Sequence, residues 1–248
     1  MLVFIGLIVG FALGVTGAGG SIVAVPLLMF ALDMRPQDAM GASLGAVAAA
    51  AMVGALIRRQ EGNAPDWTAA IGLAVTGMLF APLGRWVSQQ ANEQLVLILF
   101  ALLASFLALR MWHGAKRAPE QSLRRPLPLG SMTLPLAGIG VGLLAGFFGV
   151  GGGFLIVPLL RLYAGQSMER AISTSLLVIA LVGSSGYLYH VLSSPANDPL
   201  ALSLLALGGI AGILAGTAVC ERLSGRSLQQ GFAGFVLLIM AVVLVQNF

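Results

Sequence analysis

The chain has 248 residues, of which 58% are hydrophobic and only 9% charged, with a mean hydropathy of +0.96; a soluble domain is about 25% charged, so water is excluded as its main solvent. The net charge of +4 and a pI near 10.0 do not point to nucleic acid, because the basic residues are scattered and loops of membrane proteins collect Lys and Arg. The single Cys220 excludes an internal disulfide and any paired-cysteine metal or redox motif.

The first element is a glycine-broken apolar segment, residues 2–32, containing GVTGAGGSIVAVPLLMF from Gly14 to Phe30. Its start has the look of a signal-peptide core but no basic n-region, and residues 1–15 are read as retained structure. Three predicted spans follow at 39–57, 67–87 and 95–112, completing a first half, 1–112. A basic, proline-rich linker, 113–133, is expected on the cytoplasmic side. The second half, 134–248, opens on GFFGVGGGFLIVPLLRL from Gly146 to Leu162, within a broken segment at 134–162, and predicts spans at 171–191, 200–220 and 228–247. All nine carboxylates fall between the apolar runs or at their ends.

The two halves repeat one another at a constant offset of 132. Gly10, Gly14, Gly17, Gly19 and Gly20 fall on Gly142, Gly146, Gly149, Gly151 and Gly152, and Val25-Pro26-Leu27-Leu28 on Val157-Pro158-Leu159-Leu160. Ser43 meets Ser175, Asp66 meets Asp198, Gly77 meets Gly209 and Gly84 meets Gly216. Apolar sequences match by chance because their alphabet is small; glycine, proline and aspartate at one offset do not.

Length makes the breaks geometric. A continuous helix over residues 2–32 would be about 45 Å long at 1.5 Å per residue, too long for a hydrocarbon core of about 30 Å, and two full spans need more residues. Two half-helices meeting at the glycines would fit as a re-entrant hairpin; one broken, tilted span is the alternative. Charge favours the hairpin. With it each half crosses three times and the halves are inverted, placing Arg58, Arg59, Arg110, Lys116, Arg117, Arg124, Arg125, Arg161, Arg170, Arg222 and Arg226 on the linker's side and only Arg35 and Arg85 opposite, 11 against 2. With a single broken span the last four of those arginines move across and the ratio is 7 against 6. The expectation is an all-α polytopic membrane protein of two inverted-topology repeats, each a re-entrant hairpin plus three transmembrane helices.

The paired motifs G-x-x-G-x-G-G-[SG]-x-x-x-V-P-L-L, followed by A-x-x-x-S-L and a later G-x-x-x-x-x-x-G, resemble the sulfite exporter TauE/SafE family of membrane transporters, the TSUP family, over nearly the whole chain. The resemblance implies a multi-pass permease of a bacterial inner membrane for small sulfur-containing anions such as sulfite, thiosulfate or organosulfonates. The halves depart from symmetry at Ser21, matched by Gly153, and at Gly41-Ala42-Ser43, matched by Ser173-Thr174-Ser175.

Glycine clusters at membrane depth expose backbone N–H groups cheaply, and each second half-helix starts at such a cluster. Helix N-termini carry partial positive charge and free donors, and inversion would bring two of them together near the midplane, as in discontinuous-helix transporters. The expected substrate-binding residues are Gly17, Gly19, Gly20, Ser21 and Ser43 from the first half, and Gly149, Gly151, Gly152, Gly153, Thr174 and Ser175 from the second. The competing reading of small residues in membrane helices is close packing, which fits Gly10, Gly14, Gly77, Gly84, Gly209 and Gly216 better than a site role. His190, in GYLYH, reads as part of an interfacial Tyr/His belt before a proton carrier. Arg85 and Arg161 read as snorkelling span-end residues, and Trp67, Trp86 and Trp112 as interfacial anchors. No Walker motif, catalytic triad or metal-ligand set is present in the sequence, so no enzyme activity, metal or cofactor is expected. The expected partners are a small anionic substrate and the lipid bilayer, with homo-oligomerisation left open. A permease or channel for another small anion or solute, or a non-transporting membrane subunit, are the other readings.

Overall fold

The computed structural model describes residues 1–17, 20–60, 62–117, 133–193 and 199–220, with a few positions between 234 and 241. These residues form helices only: α1 (Leu2–Thr16), α2 (Gly20–Leu32), α3 (Pro36–Gln60), α4 (Trp67–Gln90), α5 (Glu93–Arg117), α6 (Thr133–Phe148), α7 (Gly153–Tyr163), α8 (Met168–Ser193) and α9 (Pro199–Cys220). Four of them, α3, α4, α8 and α9, are long and apolar enough to cross a membrane. Most of the expected span at 228–247 and most of the linker lie outside the described residues. The helices outrun the apolar runs by up to about a turn, α3 carrying Arg58 and Arg59 in its last turn and α5 continuing to Arg117.

The apolar breaks are where the sequence puts them. Gly17 caps α1 in the left-handed conformation, φ 66°, with its N–H donating to the Leu13 carbonyl. Gly149, Gly151 and Gly152 have φ of 69°, 64° and 72°, a region that costs glycine little and other residues more. α2 then turns back along α1. A β-carbon at Gly20 would sit 2.2 Å from the Val9 carbonyl oxygen, and Ala24 and Leu28 share a pocket with Gly6 and Val9. At α7 the same fold-back places Gly152 against Val141 and Ala145 of α6. At 15 and 13 residues, α1 and α2 are about 22 and 20 Å long, each shorter than the hydrocarbon core.

The centre of the bundle is the pair α3 and α8, which cross antiparallel. Gly41 abuts His190, Gly45 abuts Tyr187, Gly183 abuts Ala48 and Gly54 abuts Leu176. α4 runs parallel to α8, tied by Ser185 Oγ donating to the Met78 carbonyl at 2.9 Å and Gln89 Nε2 to Ser193 Oγ at 3.1 Å. At the other end, the Asp66 N–H donates to Thr174 Oγ1 at 2.9 Å, and Gln166 Nε2 donates to the Asp66 carboxylate at 3.1 Å. Asp66 also caps α4, accepting from the Thr68 and Ala69 amides.

The outer contacts are backbone against backbone. α1 lies on α9: β-carbons at Gly6, Gly10 and Gly14 would meet the carbonyls of Leu205, Gly209 and Ile213 at 2.2, 2.0 and 2.7 Å. α6 lies on α4: a β-carbon at Gly138 would meet the Leu73 carbonyl at 2.6 Å, and those at Gly142 and Gly146 the carbonyls of Gly77 and Ala81 at 2.3 and 2.0 Å. Such approach is what small residues supply where lipid removes the hydrophobic drive between helices. The packing reading of Gly10, Gly14, Gly84 and Gly216 is therefore correct, each having a foreign backbone atom inside 3 Å of its missing β-carbon. Outward faces are apolar and exposed, for example Ile71, Val75 and Leu79 of α4 and Leu95, Leu102 and Phe106 of α5, a surface suited to lipid.

Candidate functional site

The structure divides the expected site residues into groups. Gly17 and Ser175 come together, since Ser175 Oγ donates to the Gly17 carbonyl at 2.9 Å and to that of Ile172 at 2.9 Å. The equivalent corner holds Gly149 against the Met40 backbone, with Ser43 one turn further along α3. Ser43 is fully buried, yet its Oγ has no hydrogen-bond partner among the described residues. Gly151 faces the α3–α8 core, 3.1 Å from Ile179 Cγ2 and 3.5 Å from Val47 Cγ1 as judged from its missing β-carbon. Gly20 and Gly152 face their own hairpin partners, α1 and α6, and Gly153 opens α7. Ser21 lies in the first turn of α2, and Gly19 lies outside the described residues.

Thr174 is not brought to the breaks. It is buried, and its hydroxyl donates to the Arg170 carbonyl at 2.7 Å and accepts from the Asp66 amide, with Gln166 Oε1 at 3.3 Å. That network joins the start of α8 to the start of α4 at one end of the bundle. A pocket lined by Gly6, Val9, Ala24, Leu28, Ala46, Leu205 and Gly209 is apolar and offers about 10 Å³ of free volume, the threshold for one water and no place for an oxyanion.

Two residues read as interfacial from the sequence are buried instead. Arg85 has no exposed surface and His190 is 2% exposed. Arg85 Nη1 donates to Gln37 Oε1 at 3.0 Å, Nη2 donates to the Gln37 carbonyl, and Nη2 lies 3.2 Å from His190 Nδ1. Ser88, on the same turn of α4, is buried with Oγ 3.9 Å from Met40 Sδ, and the Arg85 amide borders Gly146. Snorkelling fails because α3, α6 and α8 close over this stretch of α4. The available signal was an arginine three residues before Ser88 inside an apolar run, which in a span reads as functional by default. At the other end Arg58, 7% exposed, donates to the Gly14 carbonyl at 3.3 Å. Trp67 and Trp86 are half exposed at helix ends, with the Arg59 guanidinium 5.8 Å over the Trp67 ring.

Among the described residues no group of three or more His, Cys, Asp or Glu side chains is placed to hold a metal ion. The donors gathered among the described residues are hydroxyls, the buried Arg58 and Arg85 guanidinium groups and glycine-exposed backbone.

Comparison with known proteins agrees. The family model described as "Sulfite exporter TauE/SafE" matches residues 2–243. A "Probable membrane transporter protein" of Xylella fastidiosa strain Temecula1 is 33% identical over 240 residues, covering 96% of this chain and 91% of that protein. The "Probable membrane transporter protein YunE" of Bacillus subtilis is 26% identical over 267 residues, 99% of this chain and 94% of its own. A relative of the same description in Methanocaldococcus jannaschii is 23% identical over 249 residues, covering 92% and 89%. No solved structure matches the chain. It is a multi-pass membrane protein of a transporter class and not an enzyme, and it belongs to the TauE/SafE sulfite exporter family.

Proposed function

We propose that the protein is a secondary transporter of a small sulfur-containing anion, such as sulfite, thiosulfate or an organosulfonate. The anion binds near mid-membrane between the glycine breaks of two inverted repeats, residues 1–112 and 134–248. The observation that carries this reading is an exchange of contacts at the 132-residue offset. Gly10 against Gly209 becomes Gly142 against Gly77, and Gly216 against Phe11 becomes Gly84 against Leu143. Each hairpin thus packs on the other half's helix, and equivalent helices α3 and α8 point in opposite directions. Asp33 and its counterpart Gly165, which follow the second half-helix in each half, share positive φ of 54° and 60°. A scaffold of this symmetry interconverts outward- and inward-facing forms by rocking one unit against the other.

The half-helices α2 and α7 start at Gly20 and Gly153 and would offer their N-terminal amides to the anion, each contributing about 0.3–1 kcal/mol when exposed and up to about 2 when partly buried. That sum is weak enough to let substrate leave. The test is uptake into proteoliposomes of labelled sulfite, thiosulfate and sulfoacetate, with sulfate as comparator. Flux of at least one sulfur anion is expected, and Gly151→Val is expected to abolish it while the protein still inserts, since φ is 64° there. Absence of flux for all of them from folded protein overturns the sulfur reading; flux of a different anion moves the protein to the broader permease class.

A further inference from the structure

We propose that Arg85, with Gln37 and His190, forms a binding site for one small oxyanion at the end of the bundle where α3 starts and α4 and α8 finish. This deepens the transport reading and rests on it: Arg85 supplies the full positive charge that helix termini alone do not.

Arg85 is a completely buried cation on a membrane-crossing helix. Among the described residues no carboxylate lies within 4.0 Å of it, and the ion pairs seen are Arg35 with Asp38 and Arg170 with Asp66. Asp38, next to Gln37 on α3, is held by Arg35 at 2.9 Å. A buried charge without a direct ion pair is costly; the Asp38 carboxylate acts on Arg85 only from beyond contact distance, and the guanidinium's hydrogen bonds go to the Gln37 side chain, the Gln37 carbonyl and His190 Nδ1. The Arg85 Nε–H is buried and has no partner among the described residues. Guanidinium is the side chain suited to planar, multi-point oxyanion recognition, and an unclaimed buried N–H on it is a donor awaiting an acceptor.

The surroundings supply the rest of a shell. His190 Nδ1 accepts from Arg85 Nη2 at 3.2 Å. Ser43 Oγ, a buried oxygen without a partner among the described residues, lies on α3 in the turn after Met40, and Met40 in turn touches both Ser88 and Gly149. The neighbourhood therefore runs from Arg85 toward the second glycine break. Arg85 sits five residues from the end of α4, about 7.5 Å along the helix, which makes this an entry or exit station rather than the midplane site.

The repeat equivalents show that this end is special. Arg85 corresponds to Thr217 and His190 to Arg58. At the Thr217 end the hydroxyl is satisfied by the Ile213 and Leu214 carbonyls at 3.0 Å each. There Arg58, at the position equivalent to His190, reaches the Gly14 carbonyl and also leaves its Nε without a partner among the described residues; what sets the Arg85 end apart is a fully buried guanidinium beside an imidazole.

The test uses the purified full chain in detergent, titrated with sodium sulfite, thiosulfate, sulfoacetate, nitrate and phosphate at constant ionic strength set with gluconate. A saturable rise in melting temperature is expected with at least one anion. Arg85→Gln is expected to weaken that binding about 30-fold or more, with Arg85→Lys, which keeps the charge and loses the fork, between the two. Equal affinity in wild type and Arg85→Gln overturns the site, as does a wild type that binds none of the five. Should Arg85→Gln yield no folded protein, Arg85→Lys is read in its place, and unchanged affinity there also overturns the site. Saturable binding of nitrate or phosphate alone, lost in Arg85→Gln, upholds the site while the sulfur reading fails. Sulfite flux with unaltered affinity in the variant does the reverse.

Discussion

The two glycine breaks fall on one another at the 132-residue offset and are bonded differently. At the first, Ser175 locks the Gly17 carbonyl from across the helix pair, while Thr217, beside Gly14, satisfies itself within α9. At the second, Ser43 has no partner among the described residues and an arginine stands beside Gly146 where the other half has Thr217. Among the described residues each corner leaves one buried guanidinium N–H without a partner, Arg58 Nε at the first and Arg85 Nε at the second, and the second adds the Ser43 hydroxyl. Buried polar atoms without partners are expensive, and the unmatched hydroxyl is what the second break carries and the first does not.

The largest expected effect comes from what the two halves share. Gly10→Val and Gly142→Val each drive a side chain into a backbone carbonyl 2.0 and 2.3 Å away, so both should cost more than about 4 kcal/mol. Loss of the monodisperse peak in detergent chromatography is the readout, and survival of one variant but not the other would mean the hairpins are not equivalently packed. The clamp comparison is sharper and smaller. Ser175→Ala should destabilise by about 1–2 kcal/mol because the Gly17 carbonyl loses its donor. Ser43→Ala should leave stability unchanged or raise it by about 1 kcal/mol, since an unmatched hydroxyl is removed. Denaturation followed by tryptophan fluorescence measures both; equal losses would erase the difference between the breaks. The smallest effect is at Gly140, exposed on α6 with nothing within 4 Å of its missing β-carbon. Gly140→Ala should stabilise by about 0.5–1 kcal/mol, a gain readable as a higher melting temperature; its repeat counterpart, Ile8, already carries a side chain.

Much of this was legible in the chain itself. Glycines at fixed spacing announced the helix breaks, because only that residue takes left-handed φ freely, and Gly17, Gly149, Gly151 and Gly152 do so. The packing glycines were legible for the same reason in reverse, as positions where a side chain would obstruct. Arg85 and His190 were misread as interfacial. Their proximity to span ends matched the snorkelling pattern, and nothing in α4 alone says that α3, α6 and α8 converge over that turn. Thr174 looked like the partner of Ser43 and Ser175, yet it belongs to the Asp66–Gln166 lock, because adjacent helix residues point about 100° apart and meet different neighbours.

Sequence alone determined the solvent, the rough length of the described apolar helices and the positions where they break. Each follows from hydropathy summed over a span or from glycine and proline, whose conformational limits are carried by the residue itself. Tertiary structure decided which polar groups are buried, which are paired and which stay unmatched. In water an amphipathic pattern would reveal the inward face of each helix; here lipid and protein core are both apolar, that contrast vanishes, and only the packing of α3, α4 and α8 selects the side on which Arg85 and Ser43 are enclosed.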